Sequence, residues 1–215
     1  MYDGWWLGTV ARVSIPLRRT QESRSAETRL RVLEATTECL VEYGYAGTTT
    51  AAVQARAGVS RGALMHHFGS KNELLVAAVR HLAERRGANL IEQASALGDD
   101  DDRTSQAIDL LWDTFTGPLF TATLELWAAS RTDAELRSAI LEFERALRRE
   151  LDIAMGHLFG SGLADGPAFA DAIEFTLQFM RGAALTAILR ADTQRQRAVI
   201  DRWKSVFTAL IEERV

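Results

Sequence analysis

The sequence predicts an all-α protein in two parts: three helices gathered at the N-terminal end, two of them forming a helix-turn-helix, and a larger helical domain behind them. Three observations predict it. Apolar residues recur at three- and four-residue intervals along most of the chain, the spacing that lines one side of a helix. No alternating apolar and polar run longer than a few residues suggests a strand, and no segment repeats. Hydroxyl side chains at Thr48 to Thr50, Ser60 and Ser70 each stand before such a run, where they can accept the free N–H groups of a helix start.

Residues 1–24 read as an extension outside the fold, and Asp3 and Arg12 make the segment a poor signal peptide. Its Trp5, Trp6, Arg12, Arg18, Arg19 and Arg24 leave two readings open, a tail that does not fold and a basic arm entering a DNA minor groove. Ser25 to Tyr43 forms the first helix, with Val32, Leu33, Thr36, Cys39, Leu40 and Tyr43 on one side and Gly44 and Gly47 ending it. The threonines at 48–50 open a short helix through Ala57, whose buried side is Ala52, Val53 and Ala57 and which Gly58 closes. Ser60 opens a second short helix to about Phe68, and Ser70 opens a longer one from Lys71 toward Leu97. The four aspartates of 99–102 repel one another and have nothing apolar to bury, so Gly98 to Asp102 is predicted as a solvated loop. Helical spacing resumes over 106–116, 119–131, 134–159, 168–189 and 194–215, with Gly117-Pro118, Thr132-Asp133, Gly160 to Pro167 and Arg190 to Thr193 between.

Of 215 residues, 47% are hydrophobic and 25% charged, the balance of a globular chain able to bury its own core without a cross-link or cofactor. The single cysteine, Cys39, cannot form an intrachain disulfide and sits in a helical pattern, which fits a reducing cytoplasm. No stretch approaches the roughly 18 uninterrupted apolar residues of a membrane span. The formal charge of −4 is unevenly spread: residues 1–71 carry nine Lys/Arg against six Asp/Glu, and the rest carry sixteen against twenty-three. A mildly basic N-terminal part therefore precedes an acidic body, a distribution open to nucleic-acid binding.

The segment Val53 to Ser60, VQARAGVS, ends one short helix, turns at Gly58 and caps the next, which is helix-turn-helix grammar. Val59 can plug between the two helices. Leu64 and Phe68 fall on the inner side of the second helix, and Arg61, Gly62, Ala63, Met65 and His66 on its outer face. His66 and His67 point about a hundred degrees apart on a helix, with no further His or Cys at ligand spacing, so no metal is expected.

The segment TTTAAVQARAGVSRGALMHHFGSKNELL resembles the DNA-binding signature of the TetR family of bacterial repressors, and the resemblance covers about residues 25–80. Its paired threonines, A-G-V-S turn, Gly-x-Leu-x-x-His-Phe helix and Ser-Lys-x-x-Leu opening stand in the family's order and spacing. Met65 departs from it, standing where a tyrosine is usual, and Gln54 where alanine is common. The resemblance implies that 25–71 is a DNA-binding domain, that Arg61, Gly62 and Ala63 face base edges, and that Thr49, Thr50, His66 and Lys71 hold phosphates, with Met65 limited to apolar contact. Arginine can pair bidentately with guanine O6 and N7, worth about 1–3 kcal/mol of discrimination, which makes Arg61 the expected specificity residue. Lys71 near a helix N-terminus suits a phosphate.

Large apolar residues accumulate over the remaining chain, and an ordinary helical core accounts for each of them singly. The resemblance implies in addition that residues 72–215 bind a small molecule, hydrophobic or aromatic by the composition of the region, and dimerise. Trp112, Phe115, Phe120, Trp127, Phe143, Phe179 and Arg181 are the candidate lining, with Glu125, Arg131, His157 and Gln178 as further polar candidates. The last two helices carry apolar stripes with small residues, Phe175, Phe179, Ala183, Ala184 and Ala187, then Trp203, Phe207 and Leu210, a pattern open to two readings, internal core and interface. In resembling proteins these pair with their twins. A homodimer would span two half-sites about 34–36 Å apart, or a multiple, on a near-palindromic double-stranded operator. The implied mechanism is a population shift in which ligand moves the helix after Ser70. Two rivals remain: an all-helical enzyme, although HExxH, CxxC, a phosphate-cradling glycine loop and a nucleophile elbow are all missing, and a dimeric ligand carrier without specific DNA binding.

Overall fold

The computed structural model describes residues 21–98, 102–189 and 192–212. Residues 1–20, with Trp5, Trp6, Arg12, Arg18 and Arg19, lie outside the described residues, as do 99–101 of the aspartate loop, 190–191 and 213–215. Among the described residues there are ten helices and no strand.

Helix α1 (Gln21–Gly47) begins four residues before the predicted Ser25, and its regular course breaks at Gly44, where φ is 66°. The predicted end at Tyr43 is therefore the last residue of the regular segment. Three side-chain caps then set α2 (Thr50–Ala57), α3 (Arg61–His67) and α4 (Lys71–Ser95). Thr49 accepts from Ala52 N at 3.1 Å, Ser60 from Ala63 N at 3.2 Å and Ser70 from Glu73 N at 3.1 Å. Each cap satisfies one of the four N–H groups that a helix start leaves without an internal partner.

Helix α5 (Arg103–Phe115) starts three residues earlier than its apolar pattern does, and α6 (Pro118–Ser130) takes Pro118 at its first position, where the missing N–H costs nothing. Helix α7 (Ala134–Phe159) is capped by Asp133 and stops at Gly160, at φ 79°. A single turn, α8 (Ser161–Ala164), lies where a loop was expected, followed by α9 (Phe169–Leu189) and α10 (Thr193–Glu212).

Three apolar clusters hold these helices. One joins α1 to α4 through Val32, Leu33, Cys39, Val53, Leu64, Phe68 and Leu74. A second, with Leu40, Leu75, Val79, Leu126, Leu136 and Phe143, ties that unit to α6 and α7. The third fills the body between the end of α4 and helices α5, α6, α7, α9 and α10, around Leu111, Leu158, Met180 and Phe207. Cys39 is part of the first, and burial pushes its thiol pKa up, as for a packed side chain.

Helix α9 is the one described helix long and apolar enough, by length and composition, to cross a membrane. Asp171, Glu174 and Arg181 interrupt it, so it holds no uninterrupted apolar run of that length. Its Ile173, Leu177, Met180 and Ala184 are buried in the body cluster, while Phe175, Leu185, Ile188 and Leu189 face outward.

Candidate nucleic-acid interface and internal cavity

The turn between α2 and α3 is built on Gly58, left-handed at φ 64° and ψ 39°, with its N–H on Gln54 O. The Val59 N–H reaches the same carbonyl at 3.3 Å. Leu64 and Phe68 are buried against α1 and α4, so α3 has a fixed inner side, and Val59 packs on that cluster as expected. What remains outside is Arg61, Gly62, Met65 and His66, with Ala63 half-buried. Arg61 has no hydrogen bond or ion pair among the described residues, and Met65 is 44% exposed, an apolar side chain held out into water. Thr49 is exposed and Thr50 half-buried; the Thr49 oxygen is occupied as a cap, which leaves its hydroxyl proton free to donate. Lys71, a phosphate candidate, is half-buried. Its Nζ donates to Tyr45 O at 3.0 Å and lies 4.3 Å from the Tyr45 ring centroid, and burial lowers its pKa. Arg56, which the sequence reading passed over, clamps α2 to α1. It pairs with Glu42 and donates to the Tyr43 hydroxyl at 2.8 Å while lying over that ring, and its hydrogen bond holds the Glu42 carboxyl below the usual range.

Behind this unit a cavity of about 380 Å³ opens between α4, α5, α6, α7 and α9. Phe115, Phe120, Trp127 and Arg181 line it, as the sequence suggested. Trp112, Phe143 and Phe179 do not. Trp112 is buried in the body core, Phe143 packs with Leu136 and Ile140, and Phe179 stacks on Trp203 at 4.3 Å between centroids. Two residues along a helix is about 200°, so α9 cannot turn both Phe179 and Arg181 to the same cavity. The further polar candidates lie elsewhere. Arg131 and His157 offer backbone carbonyls to Arg137 and Arg103, Gln178 donates to Glu174, and Glu125 accepts from Tyr45 N at 2.7 Å.

Residues 32–78 match the family model described as bacterial regulatory proteins, tetR family. The HTH-type transcriptional regulator CymR of Pseudomonas putida is 34% identical over 184 residues, which cover 84% of this chain and 89% of CymR. The chain belongs to the TetR family. Solved TetR-like structures share its fold: a TetR-family member from Streptomyces coelicolor, with TM-score 0.61 at 23% identity, covers 86% of this chain and 98% of its own. FadR of Bacillus subtilis, solved with stearoyl-CoA, gives TM-score 0.62 at 18% identity, covering 85% of this chain and 97% of FadR. This TetR-family chain is thus a helix-turn-helix transcriptional regulator, and its relatives are regulators rather than enzymes.

In this TetR-family chain the sequence reading missed two walls of the cavity, Arg86 to Ile91 on α4 and Glu144 to Ile153 on α7. The available signal was Gly87-Ala88, small residues in the middle of a long helix where a large side chain would fill space. It also missed the joint between the two parts of the fold. The Tyr45 hydroxyl lies 3.3 Å from Asn72 Oδ1 and 3.5 Å from Asp133 Oδ2, and Asn72 Nδ2 donates to the same Asp133 oxygen at 3.1 Å. The Leu136 N–H and the Asn72 amide keep the Asp133 carboxyl below its ordinary pKa. Burial, with the Asp133 charge behind it, raises that of Tyr45.

Proposed function

We propose that this regulator is a homodimeric repressor whose operator affinity falls when a small apolar molecule enters the cavity. One observation carries the reading: α4 begins beside α3, with Lys71 and Asn72 at the Tyr45 joint, and its second half forms a wall of the cavity. A helix of 25 residues transmits over about 37 Å. A ligand that displaces the α4 wall or the α6 side chains facing it favours one orientation of the reading heads, and the shift is as large as the difference in affinity of that ligand for the two states.

In this reading Arg61, Gly62 and Ala63 meet base edges, while Thr49, Thr50 and His66 meet phosphates. Lys71 swings from Tyr45 to reach its own. Dimerisation uses the outer side of α9 and α10. Phe175 is 58% exposed and Leu189 86%, with Leu185, Ile188 and Val206 also exposed, a larger apolar stripe than an isolated surface helix needs. Two copies place two α3 helices on successive half-sites.

Sedimentation and gel shift on the DNA upstream of the chain's own gene test this. The wild type sediments as a dimer and shifts that DNA in preference to unrelated DNA. Phe175→Glu with Leu189→Glu gives a monomer whose melting temperature is retained and whose operator affinity is lost. A dimer that survives both substitutions, or binding without sequence preference, overturns the reading.

A further inference from the structure

We propose that the cavity ligand carries a carboxylate, and that Arg86 is its partner; this rests on the effector reading above and assigns the chemical class of the effector. The cavity wall is apolar over most of its extent, and its charged residues are Glu84, Arg86, Glu144, Glu150 and Arg181. Glu84 and Glu150 are exposed, so water already solvates them. Glu144 is half-buried and accepts the Trp127 indole N–H at 2.8 Å. Arg181 lies over the face of the same indole, 5.4 Å from its centroid. Arg86 alone of the half-buried charges has neither an acceptor nor an aromatic face among the described residues.

That position is specific. A Cβ at Gly117 would run into Arg86 Nη2, so the glycine at the α5–α6 turn leaves the room in which the guanidinium sits. Guanidinium is charged at every working pH and presents five N–H donors in a planar fork that matches a carboxylate. Among the described residues no side-chain nitrogen is both fully buried and unpartnered, so the Arg86 nitrogens reach the solvent side of the cavity, where the fork is open to an anion that enters. The half-buried carboxylate, Glu144, by contrast already accepts the Trp127 indole N–H on one oxygen. Gly117 and Trp127 are ten residues apart on or beside α6, about 15 Å along its axis. The ligand therefore has its carboxylate at the Arg86 end and a flat or extended apolar body reaching past Phe115 and Phe120 toward Trp127.

Calorimetry on the full chain, with 2-naphthoate, decanoate, 2-naphthamide and 2-naphthylmethylammonium as probes, tests the assignment. At least one carboxylate is expected to bind about tenfold or more tighter than the amide, with the ammonium weakest. Arg86→Gln removes that preference and leaves amide binding unchanged, and Gly117→Ala, which displaces the guanidinium without removing its charge, weakens the carboxylate alone. Thermal melts show that both variants are folded, and Arg86→Lys, keeping the charge without the fork, falls between wild type and Arg86→Gln. Equal binding of amide and carboxylate, preference for the ammonium, or loss on Arg181→Gln but not on Arg86→Gln overturns the carboxylate assignment while the cavity remains an effector site. Absence of binding by every probe overturns the assignment. The effector reading itself fails separately, when a probe that binds leaves operator affinity unchanged.

Discussion

Glu125 Oε2 accepts the backbone N–H of Tyr45 at 2.7 Å, and Trp127, two residues further along α6, lines the cavity. One helix thus holds the DNA-binding unit with one side chain and meets the cavity with another. The approach is close because Gly44, just before Tyr45, has no side chain: a Cβ there would stand 2.8 Å from Glu125 Oε2. Gly44 also has φ 66°, so the local backbone and the tertiary contact make the same demand on one position.

Gly44→Ala is therefore expected to lower unfolding stability by about 1–3 kcal/mol in urea titrations. Gly58→Ala serves as its control, because Gly58 has φ 64° but nothing within 4 Å of a Cβ. The excess loss at Gly44 measures the Glu125 contact. Equal losses would show that Glu125 moves aside freely and that the joint is soft.

Acid should loosen the same joint. The Asp133 carboxyl titrates below its ordinary value of 3.8 because it accepts the Leu136 N–H and the Asn72 amide. A carboxylate depressed by folding contributes stability that is fully present above 3.8 and is lost as pH falls through the lower folded value. Asp133→Ala is expected to melt below wild type at pH 7, with the gap closing as the pH passes below 3.8. A gap that persists at the acid end would assign the loss to packing around Tyr45 rather than to the charge.

The helix-turn-helix was legible because its determinants are local. Thr49, Ser60, Ser70 and Gly58 act on backbone within four residues of themselves, and each does in the structure what its position implied. Helix α7 was legible for the same reason, between a capping Asp133 and a terminating Gly160. The cavity was legible only in part, since periodicity says that Trp112, Phe143 and Phe179 are buried but not whether core or empty space lies opposite. The partners of Lys71 and Glu125 were hidden because Tyr45 is 26 residues from the first and 80 from the second. Arg103 was hidden for another reason: its contacts to the ends of α4 and α7 go to backbone carbonyls, which leave no trace in side-chain pattern.

Arg103 joins the ends of two helices that are remote in sequence. Its Nη1 donates to Leu97 O at 3.2 Å and Gly98 O at 3.0 Å, just past α4. Its Nε donates to Leu158 O at 3.0 Å and its Nη2 to His157 O at 2.7 Å, in the last turn of α7. The His157 and Leu158 carbonyls are among those that the α7 end leaves without an internal partner, and a cation there also complements the helix dipole. Arg103→Ala is expected to lower stability by about 1.5–3 kcal/mol. Arg103→Lys should recover less than half, because an ammonium cannot reach both helix ends at once. Operator affinity measured well below the melting temperature should change little; a large loss there would mean that the α4–α7 staple also sets the orientation of the reading heads.

Arg61 gives the opposite pattern. It is exposed, without a hydrogen bond or ion pair among the described residues, so Arg61→Ala should leave the melting temperature within about a degree of wild type. Operator affinity should fall by about 1–3 kcal/mol, roughly 5- to 150-fold, and selectivity should relax at the base pair the guanidinium reads. Binding to unrelated DNA should weaken far less, since its phosphate contacts persist and set the salt dependence. Met65→Tyr supplies the contrast on the same helix. A phenol at that exposed position can donate to a phosphate, so it should tighten specific and unrelated DNA alike and leave selectivity unchanged. Gel shifts of the two variants on operator and scrambled DNA at fixed salt separate the effects. If Arg61→Ala weakened both DNAs equally, Arg61 would be a phosphate contact, and base reading would have to come from the neighbouring surface of α3.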